Sequence, residues 1–332
     1  MDDSRIQLAH GNGGRYMREL IEQVFAARLG TVDPTLDAAP VRLDGNRLML
    51  TTDGFTVQPL EFPGGSIGSL AVHGTVNDLA VSGAVPRHLT LAAMIEEGLE
   101  IALLQRIVAD FARAASEAGV TVVAGDTKVL RRGEGGGVYL AVTGIGEAWP
   151  GLHLGMSQIR AGDRVLVSGP VGDHGTAVLL AREQFGLRGD LQSDSASVLP
   201  LAQAIWVLPG LRFMRDPTRG GLATVAHEIA RATGYRVALD QTAIPVRDQV
   251  GAICDMLGYD PCFLACEGRV VAVVAAAEAD AALACWRSLP QGADAAIIGE
   301  IRAASPLVTL ATGLGGERVV QELEDDPLPR IC

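Results

Sequence analysis

Val120-Thr121-Val122-Val123-Ala124-Gly125-Asp126-Thr127-Lys128 is the stretch on which the reading of this chain turns. Val120 to Ala124 is a β-branched, apolar run of strand length, and it leads into an aspartate with a lysine two residues further on. A carboxylate at a strand end lies at the rim of a sheet, where ligands commonly sit. The pattern occurs once before: Arg47 to Thr52 reads as a strand ending in Thr51-Thr52-Asp53-Gly54, where turn formation by Asp-Gly explains the aspartate equally well. Between the two, Ser66 is suited to cap a helix from Ile67 to Val81, and that helix carries Asn77-Asp78 inside the apolar run Val76 to Val81. A carboxylate on a buried side is costly unless it is paired or binds metal. Asp53, Asp78 and Asp126 thus offer three carboxylates for magnesium, and Lys128 a cation to neutralise a transferring phosphoryl group.

Outward from these motifs the chain alternates strands and helices. His88 to Met94 and Val138 to Ile145 read as strands and Leu99 to Ala118 as a helix. Phe62-Pro63-Gly64-Gly65-Ser66 brings Gly64 and Gly65 to a helix start, where free N–H groups and the positive end of a dipole suit phosphate. Upstream, Ala9-His10-Gly11-Asn12-Gly13-Gly14 precedes a helix expected from Tyr16 to Leu29. Its glycines let the backbone close over an anion, although a flexible loop has the same composition. Beyond a bridge from Trp149 to Ser157, strands are expected at Arg164 to Ser168, Val237 to Leu239, Phe263 to Ala265, Val270 to Ala276, Ala295 to Glu300 and Leu307 to Leu310. Helices are expected near Thr176, at Ala196 to Val207, at Gly220 to Thr233 and at Ala279 to Ser288. In Arg215-Asp216-Pro217-Thr218-Arg219-Gly220-Gly221, Asp216 or Thr218 serves to cap a helix, while Arg219 with Gly220 and Gly221 suits an anion. Cys266-Glu267-Gly268-Arg269 is a turn in which Glu267 reads as ordinary turn polarity. The expected organisation is a glycine-rich segment and helix over 1–32, two related α/β domains over 33–148 and 158–311, and a tail over 312–332.

The net charge of −12 and the lack of clustered Lys and Arg argue against a nucleic-acid surface. A nucleotide held through a divalent metal is compatible with that charge, but no GxxxxGK[ST] loop is present to hold it in the ordinary way. The N-terminus has no secretory pattern and the most apolar run, Val270 to Ala277, is too short for a bilayer, so a cytoplasmic protein is expected. Five cysteines fit reduced thiols better than a disulfide framework; Cys262, Cys266 and Cys285 read as core. The fifth, Cys332, is the last residue, after Glu322, Glu324, Asp325, Asp326 and two prolines. Such a run does not build core, so the thiol is expected on an arm able to extend roughly 3.3 Å per residue.

Taken together, His10-Gly11-Asn12-Gly13-Gly14, Thr52-Asp53-Gly54, Asn77-Asp78-Leu79-Ala80, Ala124-Gly125-Asp126-Thr127-Lys128-Val129, Arg215 to Ala223 and the ending Pro329-Arg330-Ile331-Cys332 resemble the hydrogenase-maturation carbamoyl dehydratases (HypE). These lie in the superfamily of aminoimidazole ribonucleotide synthetase and selenophosphate synthetase. The resemblance implies a PurM-like fold of two α/β domains, the N-terminal domains of a homodimer pairing into a β-barrel, with ATP and magnesium nearby. It implies that a carbamoyltransferase (HypF) loads a carbamoyl group onto Cys332, that ATP phosphorylates the carbamoyl oxygen and that a thiocyanate remains. The cyanide then passes to iron on a complex of HypC and HypD. Nucleotide contacts would come from His10, Gly11, Gly13, Gly14, Asp53, Gly64, Gly65, Asp78, Asp126, Thr127, Asp216, Thr218, Arg219, Gly220 and Gly221. Lys128 and Glu267 would assist catalysis, Glu267 as proton acceptor. The tail acids would hinder docking beside ATP until the sulfur is modified. Asn12 and Cys266 depart from the family pattern, which often has serine and asparagine there. A selenophosphate synthetase would need Cys and Lys near its N-terminus, and residues 1–32 hold neither. A non-enzymatic metallochaperone presenting Cys332 would bind metal without ATP turnover.

Overall fold

The computed structural model describes residues 14–20, 39–43, 46–182 and 190–324. A short helix α1 (Arg15–Leu20) precedes the first domain; the remainder of the helix expected to Leu29 lies outside the described residues. The first domain holds β1 (Ala39–Leu43), β2 (Asn46–Phe55), the small hairpin β3 (Glu61–Phe62) and β4 (Gly65–Ser66), α2 (Ile67–Val81), β5 (Ala84–Glu96), α3 (Ile101–Glu117), β6 (Thr121–Leu130) and β7 (Val138–Ala148). Its main sheet runs β1-β2-β7-β5-β6. β7 alternates buried and half-buried residues, the period of a strand with one face on a core.

α2 buries thirteen of its fifteen residues, all but His73 and Asp78, so it is enclosed on nearly every side. It lies on the β2–β7 face and packs against α3 closely enough that a side chain at Gly68 would collide with the Ile107 carbonyl. Its far end, Ala80 and Val81, joins Leu166, Met214 and Trp206 of the second domain in one cluster. In turn, Val178, Leu179 and Leu264 of the second domain share a cluster with Ile67, Leu70 and Val76. The hydrophobic core is therefore continuous across the domain boundary, with α2 as the shared element.

The second domain holds β8 (Arg164–Val167), α4 (Asp173–Ala181), α5 (Leu199–Ile205), β9 (Leu211–Arg215), α6 (Gly221–Thr233), β10 (Arg236–Asp240), α7 (Asp248–Leu257), β11 (Val271–Val274), α8 (Ala279–Arg287), β12 (Ala296–Arg302), β13 (Val308–Ala311) and β14 (Glu317–Val319). They form a seven-stranded mixed sheet in the order β14-β13-β10-β12-β8-β11-β9. The expected strand at Phe263 to Ala265 is instead a turn of 3-10 helix over Pro261–Phe263, because Asp260 accepts from the Cys262 amide and closes it locally. Cys262 and Cys266 are buried as expected, and Cys285 is half-buried. Strand β14, antiparallel to β13, occupies part of the stretch read as tail, and Arg15 N donates to Leu323 O at 2.9 Å, so described residues beyond 311 are tied to the body.

Candidate active site

Both aspartate motifs read as strand ends lie inside strands, which continue beyond them. In β2, Thr51 and Asp53 face the same way, two residues apart, towards α2. Thr51 Oγ1 donates to Asp78 Oδ2 at 2.7 Å, and a Cβ placed on Gly74 would stand 4.0 Å from Asp53 Oδ2. Asp53 and Asp78 therefore share one seam between strand and helix.

The second domain supplies the opposite wall. The turn after β9 brings Arg219 Nη2 to 3.6 Å from Asp53 Oδ1. The turn is held by Thr218 N donating to Asp216 O and Gly221 N donating to Thr218 O, both at 3.0 Å. Gly221 has φ +60°, and a Cβ there would meet the carbonyls of Leu264 and Cys262 at 2.5 and 2.6 Å, so only glycine fits. Cys266 N donates to Pro217 O at 3.0 Å, which sets the Glu267 turn beside this one. Glu267 and Asp216 are both buried, at 3% and 5% exposure, which overturns the reading of Glu267 as turn polarity.

The electrostatics follow from this crowding. Burial, then the neighbouring carboxylates of Asp216, Asp194 and Asp53, push Glu267 well above the usual carboxylate range, with Arg219 opposing. Burial pushes Asp216 up to about 6 against the pull of Arg215, with Asp53 and Glu228 adding to the rise. Burial also raises Asp53, and Arg219 opposes it. Such crowding raises the proton affinity of all three carboxyls, and an added cation would offset it.

Other expected site residues stand elsewhere. Asp126, Thr127 and Lys128 lie on β6, and Lys128 is exposed. Asp53 pairs with Val142, Val142 with Leu91 and Leu91 with Gly125. Asp126 is therefore three strands from Asp53, on the order of 14 Å, so within one chain its strand stands apart from the Asp53–Asp78 seam. At the helix start after Gly64 and Gly65, two of the N–H groups expected to be free are taken, Ser66 N by Ser69 Oγ at 3.0 Å and Ile67 N by Leu60 O at 2.9 Å, and a Cβ on Gly64 would stand 2.8 Å from Ser193 N. The two glycines pack hairpin against loop beside a cleft of about 380 Å³ lined by His73, Arg113 and Ser195. Gly14 is buried; His10, Gly11, Gly13 and Cys332 lie outside the described residues. Among the described residues, no three His, Cys, Asp or Glu side chains gather to hold a metal.

Two signals went unread in the sequence. Lys128 is the only lysine in the chain, every other cationic side chain of the Lys/Arg pair being arginine. An ammonium is a compact charge that gives up a proton far more readily than a guanidinium. Asn77, beside Asp78, bonds Ala196, Val198 and Glu267 of the second domain.

The fold and this seam define the class. Residues 35–148 match the N-terminal domain and residues 160–309 the C-terminal domain of AIR synthase related proteins. Within that class, the chain is 46% identical over 331 residues to the carbamoyl dehydratase HypE of Azotobacter vinelandii, covering 98% of this chain and 97% of that one. It also superposes on HypE solved in a HypE–HypF complex (TM-score 0.86, 42% identity, 92% and 99% covered) and on HypE solved with ATP (TM-score 0.82, 41% identity, 99% and 100% covered). The chain belongs to the HypE carbamoyl dehydratase family.

Proposed function

We propose that this protein dehydrates an S-carbamoyl group on its own Cys332 to a thiocyanate at the expense of ATP, as a source of the cyanide ligand of [NiFe] hydrogenase iron. One observation carries the reading. Leu323 reaches over the turn that faces Asp53 and Glu267, its Cδ2 standing 3.5 Å from where a Cβ on Gly220 would lie. Nine residues further on, a thiol has a reach of roughly 30 Å, which spans the distance back to the seam.

The chemistry needs a good leaving group, because amide oxygen is a poor one. The γ-phosphoryl of ATP passes to the carbamoyl oxygen, and one nitrogen proton leaves. The C–O bond then breaks with release of phosphate, the second nitrogen proton is lost and the C≡N bond forms on sulfur. Glu267, whose proton affinity is raised by burial, is the acceptor for a nitrogen proton. Arg219, and Lys128 brought in from a second copy, offset charge on the transferred phosphoryl group. The donor set suits magnesium, which keeps several waters and takes one or two carboxylates together with phosphate oxygens. Asp53 and Asp78 would hold it, with Asp126 from the second copy. When bound it supplies electrostatic activation of the phosphoryl group.

A homodimer accords with β6, an edge strand on which Val122, Val123 and Val129 are 41%, 56% and 67% exposed. HypF is the carbamoyl donor in this reading and the HypC–HypD complex the acceptor of cyanide. No described helix is long and apolar enough to cross a membrane, and the reading places the protein in the cytoplasm.

The test is mass spectrometry of the C-terminal peptide after incubation with ATP, magnesium, carbamoyl phosphate and the carbamoyltransferase. Carbamoylation of Cys332 followed by loss of one water is expected. Cys332→Ala should bind ATP and form no adduct, while Asp126→Asn and Lys128→Ala should impair ATP use with the thiol intact. Absence of a cyano adduct in the complete mixture overturns the proposal.

A further inference from the structure

Both backbone polar groups of Glu267 are taken by side chains from outside its own turn. Its N–H donates to Asp194 Oδ1 at 3.1 Å, and the next amide, Gly268 N, donates to Asp194 Oδ2 at 3.3 Å. Its carbonyl accepts from Asn77 Nδ2 at 3.1 Å, across the domain boundary. The same Asn77 amide donates to Ala196 O at 3.0 Å, and its oxygen accepts from Val198 N at 2.8 Å. Every donor and acceptor role asked of Asn77 is one that only a carboxamide fills, since a carboxylate has no hydrogen to offer two carbonyls. Asn77 is 1% exposed, Asp194 is buried against Arg269 Nε at 3.4 Å, and a side chain on Gly268 would collide with the Asp194 carbonyl. Unmade bonds here would leave buried polar groups unsatisfied, so the geometry is held firmly.

Asn77 is also the immediate neighbour of Asp78, roughly 100° around the same helix. One residue faces the first domain's strand through Thr51 and the other faces the second domain's turn. We propose that Asn77 and Asp194 are positioning residues for Glu267, a two-sided clamp that ties the placement of the proton acceptor to the helix carrying Asp78. Domain orientation and the alignment of Glu267 on the carbamoyl nitrogen are then one variable. This rests on the dehydratase reading above.

The clamp predicts a loss in the chemical step without loss of ATP binding. Asn77→Asp, nearly isosteric, turns an acceptor oxygen towards the Ala196 and Glu267 carbonyls. Its single-turnover conversion of S-carbamoyl protein to thiocyanate should fall about tenfold or more, with the ATP dissociation constant within about twofold of wild type. Asp194→Asn keeps the shape, replaces one of the two acceptor oxygens that hold the Glu267 and Gly268 amides by a donor, and removes one negative charge facing Glu267. The groups that also face Glu267, Asp53 on β2 and Asp216 and Arg219 on the turn, remain in place. The acidic limb of its pH–rate profile should therefore move to lower pH, a shift that loss of packing alone would not produce.

The measurement is the single-turnover rate against pH on the full chain, with thermal melting in parallel. A wild-type rate and limb in both variants overturn the clamp, and so does a rate loss in Asp194→Asn with the limb unmoved. If Asn77→Asp does not fold, Asp194→Asn decides alone. Wild-type protein in the same assay separates the two claims, because a wild type that makes no thiocyanate overturns the dehydratase reading itself.

Discussion

Asp216 shows what the seam costs the folded chain. An acid whose affinity for protons is raised in the fold favours the folded state below its ordinary value of 3.8, and that contribution is lost as the pH climbs through about 6. The penalty at neutral pH is roughly 2–3 kcal/mol. Asp216→Asn should therefore be more stable than wild type by about 2 kcal/mol near pH 7 and no more stable near pH 4, as read from urea unfolding at the two pH values. Equal gains at both would show that the carboxyl is not strained by burial. The variant should also lose ATP use, since stability given up at a site is commonly the counterpart of its function.

Among elements, α2 and the contact between α1 and the chain's last described residues do most to place the chemistry. The tail acids were expected to act by repulsion beside the nucleotide. Two of them are instead neutralised: Arg18 Nη2 donates to Glu322 Oε2 at 3.1 Å, and Arg15 Nη2 lies 3.4 Å from Glu324 Oε1. The helix that follows the glycine-rich segment thus holds the root of the Cys332 arm. Partly exposed pairs of this kind are worth about 0.5–1 kcal/mol each. Arg18→Glu should slow cyanation of Cys332 by about two- to fivefold, and the charge-swapped Arg18→Glu/Glu322→Arg should restore it. A failed rescue, with ATP binding unchanged, would remove the ion pair from the account.

At the scale of the whole molecule, the sheet of one chain leaves the Asp126 strand uncovered and far from Asp53. A second copy pairing along β6 would satisfy the edge and bring Lys128 and Asp126 to a shared site. Val129→Glu, placing a charge on a residue that is 67% exposed in the single chain, should give a folded monomer in sedimentation. A dimer that persists would put the interface elsewhere.

Much of this was legible in the residues. The apolar run around Asn77-Asp78 marks a helix whose observed limits, Ile67–Val81, are those expected, because a nearly all-buried run is bounded sharply by Ser66 before it and the Ser82-Gly83 turn after it. The strands of the aspartate motifs were read too short: Asp53 and Asp126 are hydrogen-bonded within ladders, and pairing with a neighbouring strand overrides local turn preference. The helix Asp248–Leu257 is not among the expected elements, and the strand expected at Phe263 to Ala265 gives way to the 3-10 turn Pro261–Phe263, because short apolar runs carry too little periodicity to separate the two.

The sequence by itself determined the α/β alternation, the family motifs and a thiol, Cys332, that follows an acidic run with two prolines, since these depend on residue type and on spacing within a few turns of chain. Only the tertiary structure decided that Asp53 meets Arg219, that Asn77 holds Glu267 and that Asp126 stands apart. Contacts between residues well over a hundred positions apart depend on how two domains pack around one helix, and no local pattern of side chains encodes that distance.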